Sequence, residues 1–474
     1  MVRRDTTANW TLANPVLSAG EPALDTTTGL VRYGDGITPW ADLPSSSDVI
    51  DQAAAAAATV AVEAKFANPT TITALSATYA PASQRTVNGV KPPKVGKVVT
   101  TFQPGHGFTN YNGTLASVVD DATVKAMGNQ SLTVTTKSDA TGGNTQNAAL
   151  PAFDATGKDL TVTLRVDDVT NLTQLAVYAT SDASFASYYL WTVEDNGGDA
   201  QQFFKSTEWQ SLTLSFADAT VVGTPNRAAL TVLRLRAQCA NGSSTTVHYN
   251  RIALVPAATQ AVVSICTDDL YASNWSLMRP ILDNYGFAAT AYAIPERATS
   301  QYVSLSQLHQ LEDVNGWEVA GHGLTNLTTL SIADAEKDVV ATRSWLQGNG
   351  FRGVDHFAYP NGGFNPAIEA VMRRLYRSCR TTIFRTVHET LPPANAYRLR
   401  ARSLSNVTPP ATSIAAITAA AANPSWYILV VHDLVASTAD DGTEYLAADF
   451  DSICASIASQ GIAVKTVGDV LAGM

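Results

Sequence analysis

The sequence predicts a multidomain chain: a small N-terminal module and a helix, an all-β sandwich in the middle, and an α/β distorted (β/α) barrel at the C-terminal end. Three observations predict it. Strand-like and helix-like segments alternate over residues 258–474. Residues 98–257 carry short alternating segments with no helical period. Residues 1–45 are rich in Gly, Pro and Trp, with turn signals between short extended pieces. At 474 residues the chain is also too long for one ordinary core, and two to four domains are expected.

Each element follows from its residues. In 1–45, Gly34-Asp35-Gly36 is a turn signal between extended pieces. Residues 46–66 read as a helix, with Ser47 or Asp48 as cap and Ile50, Ala53, Ala57, Val60 and Ala64 on one face. So narrow an alanine face buries little alone, which leaves a short coiled coil between subunits or a plain linker helix. Residues 67–97, rich in Thr, Ser, Pro and Ala, read as a linker. Over 98–257, strands are expected at Ser131–Thr136, Leu160–Val166, Gln174–Ala179, Tyr188–Val193, Trp209–Phe216, Leu230–Ala237 and Thr246–Val255. That number of half-buried strands indicates a sandwich. Its Trp191, Trp209 and Tyr188 belong either to core and rim or to a sugar-stacking face. Over 258–474, all-apolar Ala261–Cys266 and Trp426–Val431 read as buried strands. Helices are expected over 277–285, 304–313, 331–347, 365–376, 411–422 and 444–459, with Gly286 ending the first. Arg398–Leu404 reads as extended and Ile462–Thr466 as a closing strand.

Composition narrows the class of partner. The chain is 45% hydrophobic, as a soluble globular protein is, and its formal net charge is −10. With no Lys/Arg run, neither nucleic acid nor an anionic membrane is an expected partner. Cys239, Cys266, Cys379 and Cys454 are scattered without a CxxC pair, so neither a disulfide framework nor a thiolate zinc site is indicated. Met1-Val2-Arg3-Arg4-Asp5 turns polar at once, so no signal peptide is expected. Ala53–Ala58 is too short for a membrane span.

The chemistry lies at strand ends. Thr267-Asp268-Asp269 ends one apolar run, and His322 and His432 each follow a short strand-like segment. In an alternating β/α fold, the residues just past parallel strands converge on one rim. Two carboxylates and two imidazoles there point to a metal-assisted hydrolase. A cation polarises an acyl carbonyl, one carboxylate takes a proton from water, and an imidazole protonates the leaving group. His106, His248, His309 and His388 have no such context.

Two resemblances give these residues roles. Trp10, Asn14 to Leu17, Gly20-Glu21, Thr28-Gly29, Gly34 to Gly36, Thr38, Trp40 and Leu43-Pro44 follow in order a pattern of phage tail proteins. Residues 1–45 thus resemble the virion-attachment module of phage tail fibres and tail spikes. Cys266-Thr267-Asp268-Asp269, His322, Phe357-Ala358-Tyr359-Pro360-Asn361-Gly362 and Ile428-Leu429-Val430-Val431-His432 fall on successive motifs of another family. By these, residues 258–474 resemble a polysaccharide deacetylase of the NodB-homology type, carbohydrate esterase family 4. The sandwich loosely resembles the jelly-roll carbohydrate-binding modules found beside such enzymes.

The resemblance implies Asp268 as general base, His432 as general acid, and a divalent metal, zinc, on Asp269, His322 and the position of Asn326. It implies the oxyanion donor within Tyr359, Pro360, Asn361 and Gly362. Leu399-Arg400-Ala401-Arg402 resembles the family's arginine-bearing segment. Two residues depart from the pattern. Asn326 stands where a second histidine is expected, and an amide oxygen is a poorer zinc ligand than imidazole; His356 is one candidate substitute. Ala358 stands where the family often has the arginine that orients the base, and Arg402 is the expected support in its place. The whole implies a phage tail spike or fibre, a homotrimer by analogy. It would dock on phage baseplate or tail proteins and deacetylate a bacterial surface polysaccharide at the host cell surface. The alternative is a non-catalytic glycan receptor-binding tail protein with a degenerate site.

Overall fold

The computed structural model of the chain describes residues 3–43, 90–194, 203–383, 385–472 and 474. The expected 46–66 helix and residues 67–89 of the expected linker lie outside them. The chain divides into two compact units, Met1–Ser83 and Gln84–Met474.

In the first unit, Thr6 caps the Thr7–Ala13 helix through its side chain, and Asn14 ends it in the left-handed region. The Arg3–Asp5 strand runs parallel to Pro22–Asp25, which pairs antiparallel with Val31–Tyr33. Trp10 stacks on Trp40 with ring centroids 5.5 Å apart, and Leu17, Ala23 and Leu43 complete the small core. The expected turn forms through its aspartate. Asp35 accepts from the Ile37 and Thr38 N–H groups at 2.8 and 2.7 Å and from the Thr38 hydroxyl at 2.6 Å. Gly34 is required there, since a Cβ would lie 2.4 Å from the Ser18 carbonyl oxygen.

The second unit begins with two antiparallel sheets that share one core. One runs Thr220–Val222, Tyr188–Glu194, Leu172–Thr180, Val232–Cys239, Gly143–Asn147, Thr109–Asn110. The other runs Gln210–Leu214, Lys158–Val166, Thr246–Pro256, Ser131–Thr135, Ser117–Asp121, with Lys97–Thr100 also paired to Thr246–Pro256. Alternation sends Leu160, Val162 and Leu164 inward against Val177, Leu233 and Leu235. Trp191 is core: it is fully buried, donates its indole N–H to the Ser215 carbonyl at 2.7 Å, and meets Phe216 edge to face. It offers no platform to a sugar.

The rest of the second unit is a curled parallel sheet clothed by helices. Its order is Ser378–Arg380, Gly353–Ala358, Glu318–His322, Ala289–Ala293, Val262–Asp268, Trp426–Val431. The segment expected to be extended over 398–404 joins the two ends: Leu399 bridges Arg380, and Arg402–Ser403 pair with Leu429–Val430. Only Arg402–Ser403 of it is strand, because Ala396–Arg398 is a 3₁₀ turn. Val262–Asp268 and Trp426–Val431 are buried on both faces, which is why neither alternates. Helices form close to the expected spans, at Arg279–Tyr285, Leu305–Asp313, Ile332–Gly348, Pro366–Leu375, Pro410–Ala422 and Ala447–Ser459. Gly286 ends the first at φ 66, and Ser304 with Gln307 forms a capping box on the second.

Sandwich and barrel are locked together by buried charge. Arg398 donates to Glu369 of the barrel and to Glu208 and the Phe203 carbonyl of the sandwich. Arg400 donates to Glu389 at 2.8 and 2.7 Å and to the Thr213 carbonyl at 3.1 Å. His388 meets the Asp218 carboxylate at 2.6 Å and the Ala416 carbonyl at 2.9 Å, an arrangement of two acceptors that an imidazolium satisfies. Burial lowers the His388 pKa, but Asp218 outweighs it and the net shift is upward. Unpaired, these groups would each be costly to bury, so the joint is specific as well as tight.

Candidate active site

Asp268 is the last residue of its strand and is almost fully buried. The fully buried Arg380 donates from one guanidinium nitrogen to both its oxygens, at 2.6 and 2.5 Å. Burial pushes the carboxyl up, but Arg380, His322 and His432 outweigh it, so Asp268 sits below the usual carboxylate range and is ionised at neutral pH. The support expected from Arg402 therefore comes from Arg380, while Arg402 lies near the Tyr427 hydroxyl. The reason is register. Arg380 is the cross-strand partner of Ala358, so the guanidinium enters from one strand over, opposite the small residue that stands where an arginine was expected.

His432 follows the Trp426–Val431 strand and brings Nε2 to 3.8 Å from Asp268 Oδ2. Asn274 donates to the His432 carbonyl at 2.9 Å, and Ser273 donates to Asp433, so the loop bearing the imidazole is anchored from beneath. Asp433 thus holds structure, as the first residue of the Asp433–Val435 strand paired with Glu444–Leu446. Among the described residues, the buried His432 Nδ1 has no hydrogen-bond partner.

Asp269 and His322 also meet: His322 Nε2 lies 3.8 Å from Asp269 Oδ1. His322 Nδ1 faces the Ala358 carbonyl at 2.8 Å, so it carries the proton and Nε2 keeps a lone pair. Burial lowers the His322 pKa against the pull of Asp268 and Asp269, and the ring is neutral at pH 7.

The donor set does not fit the three-ligand ion the resemblance implies. Asn326 caps the Leu327–Thr329 turn; its Oδ1 accepts from the Thr328 N–H at 3.0 Å and the Thr328 hydroxyl at 2.8 Å. Arg297 Nη1 lies 3.0 Å from Asp269 Oδ1. His356 is committed elsewhere, with Nδ1 against Ser378 Oγ at 2.8 Å and Nε2 facing Glu318. Among the described residues, no three His, Cys, Asp or Glu side chains gather as a ligand set. All four cysteines are buried and free, so no thiolate replaces the missing imidazole.

The expected oxyanion loop is mostly spent on itself. The Tyr359 N–H donates to the Arg380 carbonyl, the Gly362 N–H donates to the Tyr359 carbonyl, and Pro360 has none. The Tyr359 ring is core, stacked on Phe364 with centroids 5.4 Å apart. Asn361, exposed and at φ 56, is the residue of the four that faces solvent.

Three residues at this rim escaped the sequence. Arg380 ends a three-residue strand with no apolar pattern, and only pairing register could have found it. Arg297 lies in a Pro-Glu-Arg turn that matches no motif. Asp338, on the Ile332–Gly348 helix, reaches the same corner; burial and Glu296 push its carboxyl up, against His322.

Residues 2–38 match the family model "major tropism determinant N-terminal domain", and residues 256–377 match "polysaccharide deacetylase". Asp268, Asp269 and His322 fall inside the second match; Arg380 and His432 lie beyond it. The chain is similar to the Xyl-CE4 domain of a multidomain xylanase from the hindgut metagenome of Trinervitermes trinervoides, at 16% identity over 45% of this chain and 91% of that one, TM-score 0.34. It is similar to the peptidoglycan deacetylase PdaC from Bacillus subtilis, at 16% identity over 45% and 90%, TM-score 0.30. A family 4 acetyl xylan esterase from Clostridium thermocellum in complex with a cobalt ion aligns at 15% identity over 44% and 90%, TM-score 0.32. No curated protein matches the chain. The chain thus carries a match to a phage tropism-determinant domain ahead of a match to a polysaccharide deacetylase domain, an order consistent with a phage tail protein.

Proposed function

We propose that the protein is a phage tail spike or fibre that removes acetyl groups from a bacterial surface polysaccharide. The observation that carries this reading is the Asp268 carboxylate, ionised and oriented by Arg380, with His432 Nε2 3.8 Å away on the same rim. Asp268 accepts a proton as water adds to the acetyl carbon. When the tetrahedral adduct collapses, the bond from carbon to the sugar heteroatom breaks, His432 protonates that atom, and acetate leaves. No step here passes through a metal, because the donors around Asp269 do not form a shell for one. The N-terminal module would dock on baseplate or tail proteins, and trimerisation would give several sites for one glycan surface. Among the described residues no helix is long and apolar enough to cross a membrane.

Acetate release from acetylated host polysaccharide tests the proposal. Wild type releases acetate, and Asp268→Asn reduces the rate by ~100-fold or more, the scale of a lost general base. A second reading, glycan binding without hydrolysis, is favoured by the Asp269–Arg297 ion pair and by the capping role of Asn326. It prevails if the protein binds host glycan and releases no acetate under any divalent-ion condition.

A further inference from the structure

We infer that Arg297 is the resident cation of this rim, in the place a divalent ion would take, and that the site consequently acts on O-acetyl esters rather than N-acetyl amides. The second half rests on the deacetylase reading; the first does not. The Pro295–Arg297 turn follows the Ala289–Ala293 strand, which lies between the strands that deliver Asp269 and His322. The turn that carries Arg297 therefore starts from the strand that separates the two would-be ligands. Its Nη1 is 3.0 Å from Asp269 Oδ1, the same oxygen that faces His322 Nε2 at 3.8 Å. Tyr302 braces it from the side, with the guanidinium carbon 5.2 Å from the ring centroid.

An ion entering here would have one carboxylate and one imidazole, and it would have to expel a like charge from that carboxylate. Asn326 offers no help, since its oxygen is held by Thr328. Arg297 Nη1 is turned inward to Asp269, but the side chain as a whole is 26% exposed, so the rest of the guanidinium can meet a substrate carbonyl oxygen at the rim. A guanidinium half-neutralised by Asp269 polarises that carbonyl less than a divalent ion does. An amide needs strong polarisation and a fully protonated leaving nitrogen, whereas an ester carbonyl is more electrophilic and its alcohol leaves more readily. The substrate class that suits this electrophile is an O-acetylated polysaccharide.

The test has two arms on the full-length protein. In the first, zinc and cobalt chlorides are titrated calorimetrically, and metal content is measured after dialysis. Wild type should retain no stoichiometric metal, and Arg297→Met with Asn326→His should bind at least ~10-fold more tightly, the size of effect seen when a site's surroundings are changed. Arg297→Met alone should show part of that gain, which guards against misfolding of the double variant. One equivalent of metal retained by wild type, or no gain in either variant, overturns the assignment. In the second arm, acetate release with chelator present is followed on host polysaccharide before and after mild alkali, which strips ester acetyl groups and spares amides. Release from the untreated glycan only is expected. Release from the alkali-treated glycan overturns the ester assignment. Silence from both substrates counts against the deacetylase reading, while the metal titrations still decide the role of Arg297.

Discussion

The base side and the cation side of one rim differ in how each has absorbed the loss of an expected residue. On the base side, the arginine absent at Ala358 reappears as Arg380, its partner across the ladder, and reaches the Asp268 carboxylate from the adjacent strand. On the cation side, the imidazole absent at Asn326 is replaced by no donor among the described residues; Asn326 caps a turn and Arg297 brings a positive charge to Asp269. The difference has a physical origin. A charge pair needs only reach and direction, so a guanidinium on any neighbouring strand can rebuild it. A metal shell needs several lone pairs converging on one point, and one side chain cannot rebuild that from a new position.

The strongest test of the base side is Arg380→Met. It leaves the Asp268 carboxylate buried without its partner, at a cost of about 3–5 kcal/mol. In the native chain the folded pKa of Asp268 lies below the unfolded one. The pair's contribution to stability is therefore complete above the unfolded value and is lost as pH falls through the folded value. Without Arg380, burial acts with little opposition, the carboxyl moves up, and the acid limb of the rate profile moves to higher pH. Urea melts and a rate–pH profile measure both effects. An unmoved acid limb would remove Arg380 from the site. Because Ala358 and Arg380 are cross-strand partners, Ala358→Arg with Arg380→Ala should recover part of the lost rate, and no recovery would show that the adjacent-strand position matters in itself.

How much of this was legible follows from what each residue is attached to. Asp268, Asp269, His322 and His432 were legible because each ends or follows an apolar strand and falls on a motif. Arg380 was not, since Ser378-Cys379-Arg380 carries no pattern and a buried arginine reads as an exposed one. Arg400 was read as part of an arginine-bearing segment in an extended stretch, whereas Arg398 and Arg400 lock sandwich to barrel. In the sandwich, the seven strands with apolar alternation were found, while the short Lys97–Thr100, Thr109–Asn110, Ser117–Asp121 and Thr220–Val222 strands and, in the interior of its sheet, Gly143–Asn147 were missed. The buried residues of Gly143–Asn147 are polar, and Gln146 is held by Arg234 rather than by packing. Apolar periodicity reports burial in oil, and these elements are buried in hydrogen bonds.

His432→Gln should come next in size. Loss of the proton donor is expected to lower acetate release by ~100-fold. The fold should be nearly indifferent, because the ring is partly exposed and its Nδ1 holds no partner among the described residues. A thermal melt alongside the rate separates the two. A large fall in stability would make His432 a structural residue of the rim, and the base side would then stand without its acid.

The smallest expected effect is the most direct test of the contrast. Asn326→Ala removes a cap oxygen that accepts from Thr328 twice, and should cost about 1 kcal/mol. Asn326→Asp keeps an equally good cap and should leave stability close to wild type. If Asn326 only shapes the turn, both variants release acetate at rates near wild type. If it is a ligand, the two must part: alanine would silence the site, and the carboxylate would strengthen it. Stability should follow cap chemistry and rate should follow neither substitution, a pattern a three-ligand site cannot give. That pattern would place Asn326 wholly on the folding side of the ledger and leave the electrostatics of Asp269 to Arg297.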